Sequence, residues 1–128
     1  MNFGDLYQTA DWKKEKHAPM IEIKEAKKEE VKILVSIGKE IAHPNTTAHH
    51  IAWIDIYFLP TGEKCPYQLG KFEFTAHGAS INGPDTSTIY TYPKAKVSFK
   101  TEKAGTIIAF SYCNIHGLWA SKEEVVLK

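Results

Sequence analysis

Nowhere in these 128 residues is there an unbroken apolar run of the length a membrane span requires, and the N-terminus, MNFGDLYQTADWKK, lacks a continuous apolar segment followed by a small-residue cleavage site. The expectation is a protein that is soluble, retained in the cytoplasm and without a membrane partner. Cysteine is scarce too. Cys65 and Cys113 are the only two, whereas a secreted domain of this size more often carries a framework of paired cysteines. A bridge between them would consume the Cys113 thiol, which lies among candidate metal ligands. Cys65, in the turn-rich stretch TGEKCPY, reads as a free thiol with no role. An excess of charge of either sign is also missing: sixteen Lys and Arg stand against fifteen Asp and Glu, a formal net charge of +1. That balance gives nucleic acid no global electrostatic reason to bind. Neither an internal repeat nor a low-complexity segment is present.

What remains is a chain of one-domain length, residues 1–128, with 43% hydrophobic residues and room for one core. From residue 29 onward its apolar pattern has period two. Val31, Ile33, Val35 and Ile37 alternate with Lys32 and Ser36, and Ile54, Ile56 and Phe58 alternate with Trp53, Asp55 and Tyr57. Further strand candidates are MIEIKEA, YQLGKFEFTAH, STIYTY, AKVSFK, GTIIAFSYC and EEVVLK, separated by turn signals such as PTGEK, NGPD and KAG. Seven or eight short strands predict an antiparallel β-sandwich. In YQLGKFEF the apolar phase changes from Tyr67 and Leu69 to Phe72 and Phe74, so a bulge at Gly70 would keep the inward face inward. Residues 4 to 14 have room for a helical turn or two and read as an arm on the β domain.

Chemistry concentrates in three short stretches at strand ends or loops. SYCNIHGLW sets Cys113 and His116 two residues apart, a spacing that suits two ligands on one metal ion. KEKHAP supplies His17, and HPNTTAHH supplies His43, His49 and His50. Pro44 and Asn45 resist regular structure, so that connection can fold two imidazoles toward one point. His49 and His50 are adjacent at the entry to a strand and should face opposite sides, which leaves open which of them binds. His50 and His77 read as surface or hydrogen-bonded residues outside the metal set. Soft thiolate with borderline imidazole suits iron, copper or zinc, while magnesium and calcium prefer oxygen.

EKHAP, HPNTT followed by HHI, FTAHG and SYCNIHGLW stand in the order and spacing of a known family, and over essentially its whole length the chain resembles the superoxide reductases of the one-iron, neelaredoxin type. The resemblance implies an immunoglobulin-like β-sandwich holding one mononuclear iron by four equatorial imidazoles, His17, His43, His49 and His116, with Cys113 as the axial thiolate. It selects His49 over His50. It further implies that Glu15 can take the sixth iron position in the resting oxidised state, and that Lys16 guides the superoxide anion; by composition alone both would be solvated surface charges. A rubredoxin-like electron donor and a homotetramer are implied as well. There is no Cys-rich N-terminal extension in the sequence to hold a second iron. The family pattern has a proline before the HPN element and glutamates where this chain has Ala48 and Ala79; none of these positions is a ligand.

Two other metal sites compete. A cupredoxin-like blue-copper electron carrier needs two histidines, one cysteine and usually a weak axial methionine. Here the only methionines, Met1 and Met20, lie far upstream of CNIHG, and two imidazoles would be left over. A structural zinc site seldom takes five protein ligands.

Overall fold

In the computed structural model, which describes residues 1–128, Val31, Ile33, Val35, Ile54 and Ile56 are almost wholly excluded from solvent while Lys32 is exposed. The period-two pattern therefore does what it predicts. Seven strands, β1 (Met20–Ala26), β2 (Val31–Ser36), β3 (Ile51–Pro60), β4 (Tyr67–Glu73), β5 (Lys94–Phe99), β6 (Gly105–Cys113) and β7 (Gly117–Val125), form two antiparallel sheets. Their orders are β1-β2-β5 and β4-β3-β6-β7. This is the immunoglobulin-like sandwich expected, with inward residues of both sheets meeting in one cluster that includes Val35, Ile54, Ile56, Val97, Ile107 and Cys113.

The bulge falls where the change of apolar phase places it. Ile56 pairs with Gly70 but Tyr57 pairs with Gln68, so Leu69 is the extra residue. Leu69, Phe72 and Phe74 all pack against the core in consequence. Tyr67 does not join them: it is 57% exposed, and its hydroxyl donates to Glu63 at the hairpin turn.

Two strand assignments need correction. STIYTY is a loop whose one sheet-type pairing is an isolated bridge between Tyr90 and His77, and Asn45 donates to its Thr91 carbonyl (2.9 Å). The last strand runs from Gly117 to Val125 and takes in only Glu123, Glu124 and Val125 of EEVVLK, because it starts directly after the CNIHG turn to pair with β6. Gly117, at φ +81°, adopts the left-handed conformation that lets the chain reverse there. The N-terminal arm has one short 3-10 turn, Phe3–Leu6, and then lies against β7: Gln8 donates to the Leu118 carbonyl (2.9 Å) and accepts from Ala120 (2.9 Å). No helix is long and apolar enough to cross a membrane.

Register brings the chemistry to one end of the sandwich. Met20 at the start of β1 pairs with Ser36 at the end of β2, and Ile51 at the start of β3 pairs with Cys113 at the end of β6. The segments carrying His17, His43 to His49, and Cys113 to His116 therefore leave the sheets at the same end.

Candidate metal centre

Four histidines from three segments stand as the corners of a near square. Ring centroids are 4.8 Å apart for His17–His43, 4.8 Å for His43–His49, 5.0 Å for His49–His116 and 4.7 Å for His116–His17. The His17–His49 diagonal is 6.5 Å. In a tetrahedron no pair would be distinguished in this way. Ligand atoms of His17, His43, His49 and Cys113 all lie within 4.8 Å of one another. His116 joins them through Nδ1, which is 3.1 Å from His17 Nε2, 3.2 Å from His49 Nε2 and 3.7 Å from Cys113 Sγ.

Two of the imidazoles, His43 and His17, are turned inward by a bond on the far side. His43 Nδ1 donates to the Pro44 carbonyl (2.6 Å), which leaves Nε2 as a bare lone pair, buried and without a hydrogen-bond partner. Left so, a buried acceptor costs about 1–3 kcal/mol; a cation at the centre of the square would satisfy it. His17 Nδ1 donates to Glu15 Oε1, while Glu15 Oε2 accepts from the His17 and Ala18 backbone amides. A carboxylate behind a metal-facing imidazole fixes the tautomer and orients the ring. Gly38, at φ +81°, lets the chain turn tightly toward His43: a Cβ there would stand 2.7 Å from the His43 backbone nitrogen.

Electrostatics agree with a set of neutral donors. Burial pushes His43 down to about 4, against the bond to Pro44 and with help from the charges of His17, His49 and Lys16. Burial also lowers His49, assisted by His116, Lys16 and His17. Lys16, half-buried, thus lies near enough to act on both rings. For Glu15 burial opposes the charge, but the hydrogen bonds from His17 and Ala18 outweigh it and hold the carboxyl below its usual range. An unfolded histidine takes its proton near 6.5 and folded His43 only near 4. Between those values the unfolded chain binds more protons, so the metal-free protein should lose stability as pH falls from 6.5 towards 4. His49 adds to that loss with the same sign, and Glu15 adds more below its ordinary value of 4.5. Thermal melts of the metal-free protein at pH 7.5 and 4.5 check this. A higher melting temperature in acid would contradict it.

The structure brings together His17, His43, His49, Cys113 and His116, and separates His50 and His77 from them. Those two stack on each other (3.5 Å, 7°) and bond to backbone carbonyls, His50 to Thr46 and His77 to Phe74. Glu15 stands behind His17, on the side away from the cluster, because three hydrogen bonds hold it there. Cys65 and Cys113 are both free thiols, the first exposed and the second buried.

Three supporting residues escaped the reading of the sequence. Ser111, fully buried, donates to the His17 carbonyl (3.0 Å); a polar residue at an inward position of the period-two run GTIIAFSYC was the available signal. Asn114 clamps the CNIHG turn to the histidine loop, accepting from His50 N (2.8 Å) and donating to the Ala48 carbonyl (2.9 Å). Trp119 stacks on His17 at 4.9 Å and 14°.

Residues 9–122 match the desulfoferrodoxin family. The chain belongs to that family. It is 57% identical over 125 residues to superoxide reductase of Pyrococcus furiosus, covering 98% of each chain. It is 50% identical to neelaredoxin of Megalodesulfovibrio gigas over the full length of both. Among solved structures, superoxide reductase (neelaredoxin) from Archaeoglobus fulgidus in the reduced form superposes with a TM-score of 0.92 at 59% identity, covering 95% of this chain and 99% of that one. The all-β sandwich of this desulfoferrodoxin-family chain is thus shared with its relatives along nearly its whole length.

Proposed function

We propose that the chain is a superoxide reductase, adding one electron and two protons to superoxide to give hydrogen peroxide, and that residues 1–128 act as one iron-binding domain. The observation that carries this reading is the near square of imidazoles with the buried Cys113 sulfur against it. The donor set fits iron: borderline nitrogen and soft sulfur, four rings in a square and an orphaned Nε2 that a cation satisfies. His17, His43, His49, His116 and Cys113 would hold the ion. Iron bound there supplies the single electron.

The chain's own residues prepare the rest. Burial keeps the His43 ring uncharged at neutral pH, so its lone pair is available without expelling a proton. Cys113, 0% exposed, is sealed from water by the core, and the His116 backbone amide donates to its sulfur (3.3 Å). That amide hydrogen bond moderates how strongly the thiolate gives electron density to a metal. Glu15, held behind His17, is suited by this geometry to orienting the ring; the sixth-ligand role implied by resemblance would require it first to release three hydrogen bonds.

Lys16 guides the anionic substrate. Its charge acts on His43 and His49 and so on whatever approaches them. Lys16→Gln is expected to slow superoxide capture several-fold and flatten its dependence on ionic strength. Pulse radiolysis over a range of salt measures both; an unchanged rate and slope would remove Lys16 from this role. The reaction consumes electrons, so a donor must restore the reduced state; the reading assigns a rubredoxin-like iron protein to that task, a homotetrameric assembly and a cytoplasmic setting. A blue-copper carrier would leave two of the four imidazoles without work.

A further inference from the structure

Opposite the four-stranded sheet, the outer face of the three-stranded sheet is rich in lysine. Across it run two rows in register, Met20–Ser36–Lys94 and Glu22–Leu34–Lys96. At the Ser36 end opens a recess of about 190 Å³ bordered by Glu22, Lys24, Ser36, Lys39, Tyr92 and Lys94. None of these six is a candidate iron ligand. One carboxylate oxygen, Glu22 Oε1, accepts from both Lys24 (3.3 Å) and Lys39 (3.2 Å). Lys94 completes the border, so three lysines stand with a single carboxylate around the recess and positive charge is in surplus.

Ser36 gives the recess a second and independent mark. It is only 5% exposed, yet its hydroxyl makes no hydrogen bond within the protein and borders the recess. The hydroxyl keeps a little contact with solvent and is free to donate there. The Ser36 hydroxyl and the lysines of the border make a donor-rich hollow that one carboxylate does not fill.

We infer that this recess binds a tetrahedral oxyanion of the phosphate type, with Ser36 donating from the floor and Lys24, Lys39 and Lys94 closing on it. Two sources share that chemistry, free inorganic phosphate and the phosphate end of a monoester whose remainder lies in solvent. Charge-assisted bonds to an anion are shorter and stronger than neutral ones, and the lysines already gathered by Glu22 need little rearrangement to make them.

Equilibrium dialysis of the iron-loaded protein at low ionic strength, with inorganic phosphate in one arm and glycerol phosphate in the other, tests the assignment. Saturable binding of one anion per chain is expected. It should weaken about tenfold in Ser36→Ala and in Lys94→Gln, as loss of one bond to a charged group predicts. Lys64→Gln, which alters an exposed lysine in the turn between β3 and β4, should leave it unchanged. Tighter binding of the monoester identifies an organic source, and equal binding the free ion. Binding that does not saturate, that survives both Ser36→Ala and Lys94→Gln, or that falls as far in Lys64→Gln as in Lys94→Gln would overturn the inference.

Discussion

A Cys113→Ser variant is expected to fold, to bind iron through its four imidazoles, and to lose at least about a hundredfold in the rate of superoxide reduction. The hydroxyl is close in shape, and the His116 amide that now donates to sulfur at 3.3 Å retains an acceptor. What disappears is the soft, electron-rich donor. The oxidised variant should therefore also lack the thiolate-to-iron absorption expected in the visible spectrum of the iron-loaded parent. Cys65→Ser is the matched control. Its thiol is exposed on the β3–β4 turn, and neither rate nor spectrum should move. Stopped-flow measurement of superoxide loss beside a visible spectrum reads both variants; a Cys113→Ser protein with parental activity would remove sulfur from the account.

The second large effect concerns stability. Ile54 lies at the centre of β3, is fully excluded from solvent, and pairs on one side with Phe72 of β4 and on the other with Ser111 of β6. Ile54→Ala removes three carbons from a close-packed interior and should cost about 2–5 kcal/mol. A domain of this kind has only about 5–15 kcal/mol to lose. Because Ser111 next to it holds the His17 carbonyl, some iron affinity should be lost with it. Denaturant unfolding of parent and variant gives the number, and a midpoint unchanged within error would show that the sandwich core lies elsewhere. Substitution at Ile41, exposed in the loop before His43, should be mild by contrast.

Most of the architecture was legible because burial in a sandwich imposes period two, and β3 and β6 obey it at Ile54 to Phe58 and Ile107 to Ala109, as β2 does at Val31 to Ile33 before Leu34 on its outer face is also covered. Even the bulge at Leu69 left a trace as a change of apolar phase. STIYTY misled for a related reason: Ile89, Tyr90 and Tyr92 look like strand residues, yet all three are exposed and the segment bonds mainly within its own loop, as Gly78 does to Ile89 and Thr91 to Ala76. β7 was displaced because GLWASKEEV alternates weakly; its pairing with β6, which no local pattern records, fixes where it begins.

At the metal centre the residue types and loop positions were readable, since a thiolate and clustered imidazoles are chemically distinctive. Which of His49 and His50 faces inward was not, until resemblance chose His49. The structure gives the physical reason. His50 is occupied by Thr46, Asn114 and the ring of His77, all beyond the cluster. Glu15 shows the opposite limit. Two residues from His17, it can reach either the metal side or the far side of the ring, and only the placed amides of His17 and Ala18 decide for the far side here.

X-ray absorption at the iron edge of the iron-loaded protein tests the central claim most directly, that the five side chains gathered at one end of the sandwich share a single ion. The account predicts one sulfur scatterer together with imidazole nitrogens from His17, His43, His49 and His116. A spectrum with no sulfur neighbour, or with fewer than these imidazoles around the iron, would contradict it.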